Sequence, residues 1–305
     1  MHVLFIFLDG IGLGEDDPES NPFAAAELPT LRALSNGHRW LNTTGTQVSK
    51  RAVFLAADPR MGVAGRPQSG SNQAAIMTGI NVPEKIGQHY GPKPDQATRD
   101  ILNSDNLFKQ VIRTGQSAAL LEAYPPRWHR RLDSGKMLPA SYQYALQSAG
   151  LPFMTVDDLY AGRALSGDWT GAGWRSDLGF DDTPLYTGYE AGRKLVQISR
   201  DYDFAFFSHW LSDIVGHRGS VSDGIALLQT FDQVMRGVLD EWEDTEGLVI
   251  VSSDHGNMED LSHGKHTTND VPVVLIGEHK DHFSQGLHDL TGFAPRIARL
   301  LNLSD

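Results

Sequence analysis

The sequence predicts an α/β fold with a mainly parallel central sheet and helices on both faces. Three observations support this. Continuous apolar runs recur at 3–8 (VLFIFL), 248–252 (LVIVS) and 271–276 (VPVVLI), as strands buried on both faces require. Segments with helical spacing of apolar residues separate such runs, notably 187–200 and 221–241, and this alternation is the mark of crossover-connected parallel strands. Acidic and histidine residues also fall just after several of the runs, at the edge where open α/β sheets bind ligands.

Taken in order, residues 3–8 end in Asp9-Gly10, and Gly10, Gly12 and Gly14 then mark a loop that leads into an acidic, proline-bearing stretch at 15–22. Asn21-Pro22 suggests a turn and 28–34 a helix. Residues 69–78 read as a helix opening after Pro67 and stopped by Gly79. The segment 107–124 (LFKQVIRTGQSAALLEAY) reads as helix, glycine turn and strand. Residues 125–184 are irregular and rich in Arg, Trp, Gly and Asp. A helix over 187–200, a buried strand at 203–208 (DFAFFS), a helix over 221–241, strands at 248–252 and 271–276 and a closing helix at 292–301 complete the chain. No internal repeat or low-complexity segment interrupts it.

With 305 residues, 40% of them hydrophobic, the chain can build a full-sized core. Its formal charge of −12 argues against nucleic-acid and membrane-surface binding, both of which need a basic face. An anionic small-molecule substrate stays compatible, because charges beyond about 8 Å are screened at physiological salt. The absence of cysteine removes disulfides, thiolate metal sites and cysteine nucleophiles. The apolar N-terminal run lacks a basic flank and a cleavage site, and no stretch approaches the ~20 apolar residues of a membrane span. The expected location is cytoplasmic; the oligomeric state is open.

Asp9 follows the first strand, Asp213 and His217 follow DFAFFS, Asp254 and His255 follow LVIVSS, and His266 sits in the polar loop before VPVVLI. Asp213 and His217 are four apart, which on a helical turn places both on one face. Each residue taken singly has an ordinary role: Asp-Gly and Asp-His-Gly-Asn are turn chemistry, and an i,i+4 Asp–His pair is common on helix surfaces. Three carboxylates, three imidazoles and a hydroxyl gathered at strand ends exceed what one tetrahedral ion needs and suit two divalent cations. Carboxylate and imidazole together suit Mn²⁺, Mg²⁺ or Zn²⁺, and the sequence does not choose among them. Ser69 and Ser71 stand in Gly65-Arg66-Pro67-Gln68-Ser69-Gly70-Ser71-Asn72-Gln73, at the start of the 69–78 helix. A serine there either caps the helix or acts as a nucleophile facing its amides and dipole; spacing does not separate the two hydroxyls.

These residues resemble the alkaline phosphatase superfamily, and within it the cofactor-independent phosphoglycerate mutase and phosphopentomutase branch. The resemblance rests on four stretches: Asp9-Gly10-Ile11-Gly12-Leu13-Gly14; Gln68-Ser69-Gly70-Ser71-Asn72-Gln73; Asp213-Ile214-Val215-Gly216-His217-Arg218; and Ser253-Asp254-His255-Gly256-Asn257 with His266-Thr267-Thr268-Asn269-Asp270-Val271-Pro272. It implies an alkaline-phosphatase-like three-layer fold. It further implies Ser69 as the phosphorylated nucleophile, one metal on Asp213, His217 and His266, and another on Asp9, Ser69, Asp254 and His255. His266 is selected over His263 because the His-Thr-x-Asn-x-Val-Pro string begins there.

The chain departs from the mutases in ending its nucleophile loop in Asn72-Gln73 where they have Gly-His, and in being shorter. Its 107–124 unit, similar to the one after their substrate cap, follows the nucleophile helix by only about 25 residues. The expected division is therefore a metal-binding core of 1–80 and 186–305, with 107–124 part of it, and a small lid of 81–106 and 125–185. Arg127, Arg130 and Arg131 are the candidate phosphate-binding residues, after a strand and near Tyr124; Arg163 and Arg175 lie farther on. The expected activity is phosphoryl transfer through a phosphoserine on a small phosphorylated metabolite, as mutase or phosphohydrolase. A phosphodiesterase on the same metals and a non-catalytic metal-stabilised binding protein are the rivals. No Gly-x-Ser-x-Gly elbow and no HExxH motif is present.

Overall fold

Seven strands form one sheet in the order β2-β3-β7-β6-β1-β5-β4, where β1 is His2–Leu8, β2 Gln47–Val48, β3 Ala52–Ala57, β4 Ala118–Leu120, β5 Phe204–His209, β6 Gly247–Ser252 and β7 Val271–Ile276. The structure is a computed structural model, and it describes residues 1–303. Strands β6, β1, β5 and β4 run parallel in adjacent positions. Strand β7 pairs antiparallel with β6 and with β3, and β2 antiparallel with β3. Five of the seven strands therefore point the same way, as the sequence predicts. The two exceptions are β2, which pairs antiparallel with its neighbour β3, and β7. For β7 the physical cause is clear: residues 253–270 return from β6 to β7 without a helix, and a parallel return needs a crossover connection.

Alternation along β1 divides the core. Leu4, Ile6 and Leu8 enter one apolar cluster with Leu195, Val196, Phe231 and Val234, from the helices Gly188–Ser199 and Val221–Glu241. Val3, Phe5 and Phe7 enter the other with Ala74, Ile76, Phe108 and Ile297, from the helices Ser69–Thr78, Leu107–Arg113 and Phe293–Leu300. The result is the expected three-layer arrangement, helices on both faces of the sheet. Parts of the segments expected as a lid pack into the same layers: Leu102 of helix Gln96–Ser104 and Tyr142, Ala145 and Leu146 of helix Ser141–Ser148 are buried in the second cluster.

Strand β3 is an element the sequence reading passed over. Its AVFLAA run is short, and its ladder partner β7 lies more than 200 residues away in the chain. Among the described residues, no helix is long and apolar enough to cross a membrane.

Candidate metal centre and adjoining cavity

The carboxyl ends of the four parallel strands deliver the acidic groups side by side. Asp9 follows β1, Asp254 follows β6 by one intervening serine, Asp213 lies on the helix Leu211–Arg218 just after β5, and Glu122 lies two residues beyond β4. The turn after β1 requires glycine: Gly10 has φ +72°, and a Cβ there would meet Asp213 Oδ1 at 2.9 Å. Strain and crowding thus act together at one position.

The seven residues expected from the sequence come together in two adjoining groups. In the inner, buried group His255 Nε2 lies 2.9 Å from Ser69 Oγ, 3.4 Å from Asp9 Oδ1 and 3.6 Å from Asp254 Oδ2. In the outer group Asp213 lies 3.4 Å from His217 Nε2 and 3.6 Å from His266 Nε2, and these two nitrogens are 3.3 Å apart. Ligating atoms of Asp9, Asp213 and His255 also fall within 4.8 Å of one another, so the groups share a border. Ligand atoms around a tetrahedral ion with ~2.0–2.1 Å bonds stand roughly 3.3 Å apart, close to these separations.

Each imidazole is oriented from behind. His217 Nδ1 faces the Gly264 carbonyl at 2.9 Å, His266 Nδ1 that of Pro67 at 2.8 Å, and His255 Nδ1 that of Gly256 at 3.4 Å. A carbonyl only accepts, so each Nδ1 carries the proton and each Nε2 presents a lone pair to the site. The lone pairs of His217 and His266 consequently face each other, and Asp9 Oδ1 is buried with no hydrogen-bond donor. Burial, with Asp254 and Asp213 beside it, holds the Asp9 carboxyl well above the usual range. Burial pushes Asp254 up to about 7, against the hydrogen bond from Gln73, and pushes His255 down to about 3. Crowded carboxylates, opposed lone pairs and an unpartnered oxygen are the donor set a divalent cation satisfies. The residues fit such ions.

Several supporting residues escaped the sequence reading. Gln73 Nε2 donates to Asp9 Oδ2 at 3.2 Å and to Asp254 Oδ2 at 3.0 Å, bridging the inner carboxylates. Asn257 Nδ2 donates to Asp213 Oδ1 at 2.8 Å, and it reaches there because Gly216 has no side chain: a Cβ would sit 2.5 Å from Asn257 Cγ. The glycine of the Asp-x-x-Gly-His segment thereby has a packing reason. Buried Glu259 accepts from the backbone N–H groups of Gly12 and Asn257 and from Thr267 and Asn269, stitching the first and last motif loops together.

A cavity of about 620 Å³ opens beside the centre, with Asp9, Ser69, Gln73 and Asp213 at one end. Lys93, Glu122, Tyr124, Trp128, Tyr142, Gln143, Trp174, Leu178, Trp210 and Ile214 line the remainder. Glu122 is fully buried and accepts from Tyr124 Oη at 2.6 Å and Trp210 Nε1 at 2.7 Å. Burial outweighs these two bonds and lifts its carboxyl to about 7. Burial lowers the ammonium pKa of Lys93, while the charges of Asp9 and Glu122 support its protonated form.

The substrate-facing loop expected after β4 does reach the cavity through Tyr124 and Pro125, but the arginines beside it do not. Arg127, Arg130 and Arg131 are exposed on the helix Pro126–Asp133 and are not among the cavity's lining residues. That helix turns Trp128 inward instead, stacked on Tyr124 at 4.1 Å between ring centroids. Of the other arginines, Arg163 pairs with Asp158 and Arg175 donates to the Thr183 carbonyl.

Residues 178–305 match the Metalloenzyme superfamily, a segment containing five of the seven candidate ligands and leaving Asp9 and Ser69 outside it. The chain is similar to the 2,3-bisphosphoglycerate-independent phosphoglycerate mutases of Methylobacillus flagellatus (30% identity over 133 residues) and Rhodopseudomonas palustris (32% over 133 residues). Each match covers 41% of this chain and 26% of the relative, so only about a quarter of those enzymes is represented. Over its full length the structure is similar to the PH0037 protein of Pyrococcus horikoshii, with a TM-score of 0.59 at 13% identity, covering 100% of this chain and 98% of that one. It is similar too to the alkaline phosphatase of the Antarctic bacterium TAB5, with a TM-score of 0.55 at 12% identity, covering 100% and 99%. The fold is alkaline-phosphatase-like.

Proposed function

We propose that the protein is a two-metal phosphohydrolase that acts on small phosphate monoesters through Ser69. The observation that carries this reading is the placement of Ser69 Oγ, 2.9 Å from His255 Nε2 among Asp9 and Asp254, at the buried end of an open cavity. Asp213, His217 and His266 would hold one divalent ion, and Asp9, Ser69, Asp254 and His255 the other, with Mn²⁺ or Zn²⁺ favoured and Mg²⁺ compatible. Bound there, the ions supply the positive charge that lowers the pKa of the serine hydroxyl and offsets charge on the phosphoryl oxygens.

Ser69 stands in the first turn of the helix Ser69–Thr78, whose dipole favours an anion at that end. Its oxygen gives up a proton to water and forms a bond to phosphorus as the ester P–O bond breaks; the departing alkoxide takes a proton from solvent. Water then displaces Ser69 Oγ from the phosphoserine and releases inorganic phosphate. Gln73 holds Asp9 and Asp254 in position throughout, and Lys93 places an ammonium at the phosphoryl end of the cavity. Hydrolysis is favoured over mutase transfer because Lys93 is the single basic side chain among the described lining residues. A mutase has to retain a reorienting anionic intermediate, which calls for a basic clamp.

The test is ³¹P NMR of the Mn²⁺-loaded protein with a panel of monoesters, quenched with chelator before acquisition. Inorganic phosphate is expected from the wild type and none from Ser69→Ala, while Ser69→Ala still binds metal through the six remaining ligands. Full turnover by Ser69→Ala would sink the nucleophile assignment, and growth of an isomer peak without phosphate would establish a mutase instead.

A further inference from the structure

We infer that the substrate is a phosphate monoester whose alcohol portion carries an apolar, ring-sized group and no second anionic group. The inference rests on the phosphohydrolase reading for its phosphoryl end; the remainder of the cavity supplies the rest.

Apolar surface is concentrated here. Leu178, Trp210 and Ile214 are 47%, 39% and 46% exposed, and they are three of the eight large hydrophobic side chains that the described surface leaves exposed. All three line this one cavity, together with Trp128 and Trp174. Exposed apolar groups scattered singly need no explanation, whereas a cluster at the mouth of a site marks what the site covers. The cavity continues directly from Ser69 and Asp9, so its occupant is the part of the ester joined to the phosphoryl group. At about 620 Å³ it exceeds what a three-carbon chain fills and accommodates one or two rings.

Charge supplies the exclusion. Beyond the metal ligands the lining carries the carboxylates of Asp168 and Asp177, and Glu122 with its carboxyl lifted to about 7, against Lys93 alone. The Lys93 carbonyl stands 2.7 Å from where a Cβ on Gly70, next to Ser69, would lie, which places this residue by the phosphoryl end and leaves no other lining cation for a distal carboxylate. A substrate such as phosphoglycerate would bring its second anion against this acidic wall. A neutral ring meets aromatic and aliphatic side chains there instead.

The experiment compares esters of matched alcohol chemistry on the Mn²⁺-loaded protein: ethyl phosphate, 2-phenylethyl phosphate and 2-(4-carboxyphenyl)ethyl phosphate. Adding the ring should raise kcat/KM by about ten- to a hundredfold, the scale on which hydrophobic pockets discriminate, and the ring carboxylate should cancel at least about tenfold of that. The Leu178→Ser variant, changed at an exposed position, should lower the phenylethyl-to-ethyl ratio, and Trp128→Ala should lower it further. Equal rates for ethyl and phenylethyl esters, or a preference for the carboxylate, would overturn the inference. If no ester turns over, the phosphohydrolase reading fails and binding decides the pocket by itself. Calorimetric titration of Ser69→Ala with the same three esters should then give the same order, and lack of binding by the phenylethyl ester, or the reverse order, would overturn the proposal.

Discussion

Glu122 offers a quantitative test of how the cavity wall is built. The residue is fully buried, two positions beyond β4, and its carboxyl is lifted from 4.5 to about 7 by burial against the hydrogen bonds from Tyr124 and Trp210. Between those two values the native protein retains a proton that the unfolded chain has released. Stability contributed by this group is therefore present below about pH 4.5, declines as pH rises and levels off above about 7. A displacement of this size corresponds to about 3 kcal/mol across the window. The substitution Glu122→Gln keeps the shape and one acceptor oxygen but does not titrate. Urea unfolding of both proteins from pH 4 to 8.5, at constant ionic strength with chelator present, isolates the group, because contributions from the metal ligands cancel in the difference. The variant should gain on the wild type by about 3 kcal/mol in going from pH 4 to pH 8, on top of a constant offset from the altered hydrogen bonds. A difference that does not change with pH would refute the claim that Glu122 is buried at an energetic cost.

Three further outcomes follow from the same geometry. Trp210→Phe removes a donor to the ionised Glu122 and should move that pH window upward, visible as a shifted slope in the same unfolding series. Gly216→Ala places a methyl group 2.5 Å from Asn257 Cγ, pushing the amide off Asp213; Mn²⁺ or Zn²⁺ affinity measured calorimetrically should weaken by about 10–100-fold, and unchanged affinity would remove Asn257 from any supporting role. Chelation leaves the buried carboxylates of Asp9 and Asp254 uncompensated, so scanning calorimetry should show the metal-loaded protein melting roughly 5 °C or more above the chelated one. Coincident melting curves would argue that these side chains hold no ion.

Much of the candidate centre was legible because each candidate ligand is tied to a local signal. Asp9, Asp213 with His217, and Asp254 with His255 all follow apolar runs that could only be buried strands, and the carboxyl edge of a parallel sheet brings strand ends together whatever the order of the strands. The arginines were misleading for a local reason as well. In the helix Pro126–Asp133 it is Trp128 that faces the cavity, while Arg127, Arg130 and Arg131 are exposed. Clustering of basic residues in the sequence carried no information about which face they occupied. Lys93 and Glu122, by contrast, had no motif around them. They meet because the loop around Pro92 and the end of β4 converge on one cavity.

By itself, then, the sequence determined the layered α/β fold and the chemistry of the seven gathered side chains, because burial patterns and strand-end positions are short-range properties of the chain. Tertiary structure alone decided the antiparallel course of β7, the Asn257–Asp213 bond that passes over Gly216, the Gln73 bridge between Asp9 and Asp254, and the acidic, aromatic wall around Glu122. Each depends on contacts between segments far apart in the chain, or on a return path without a crossover helix. Such contacts are selected by packing the whole core, and no local pattern of residues encodes them.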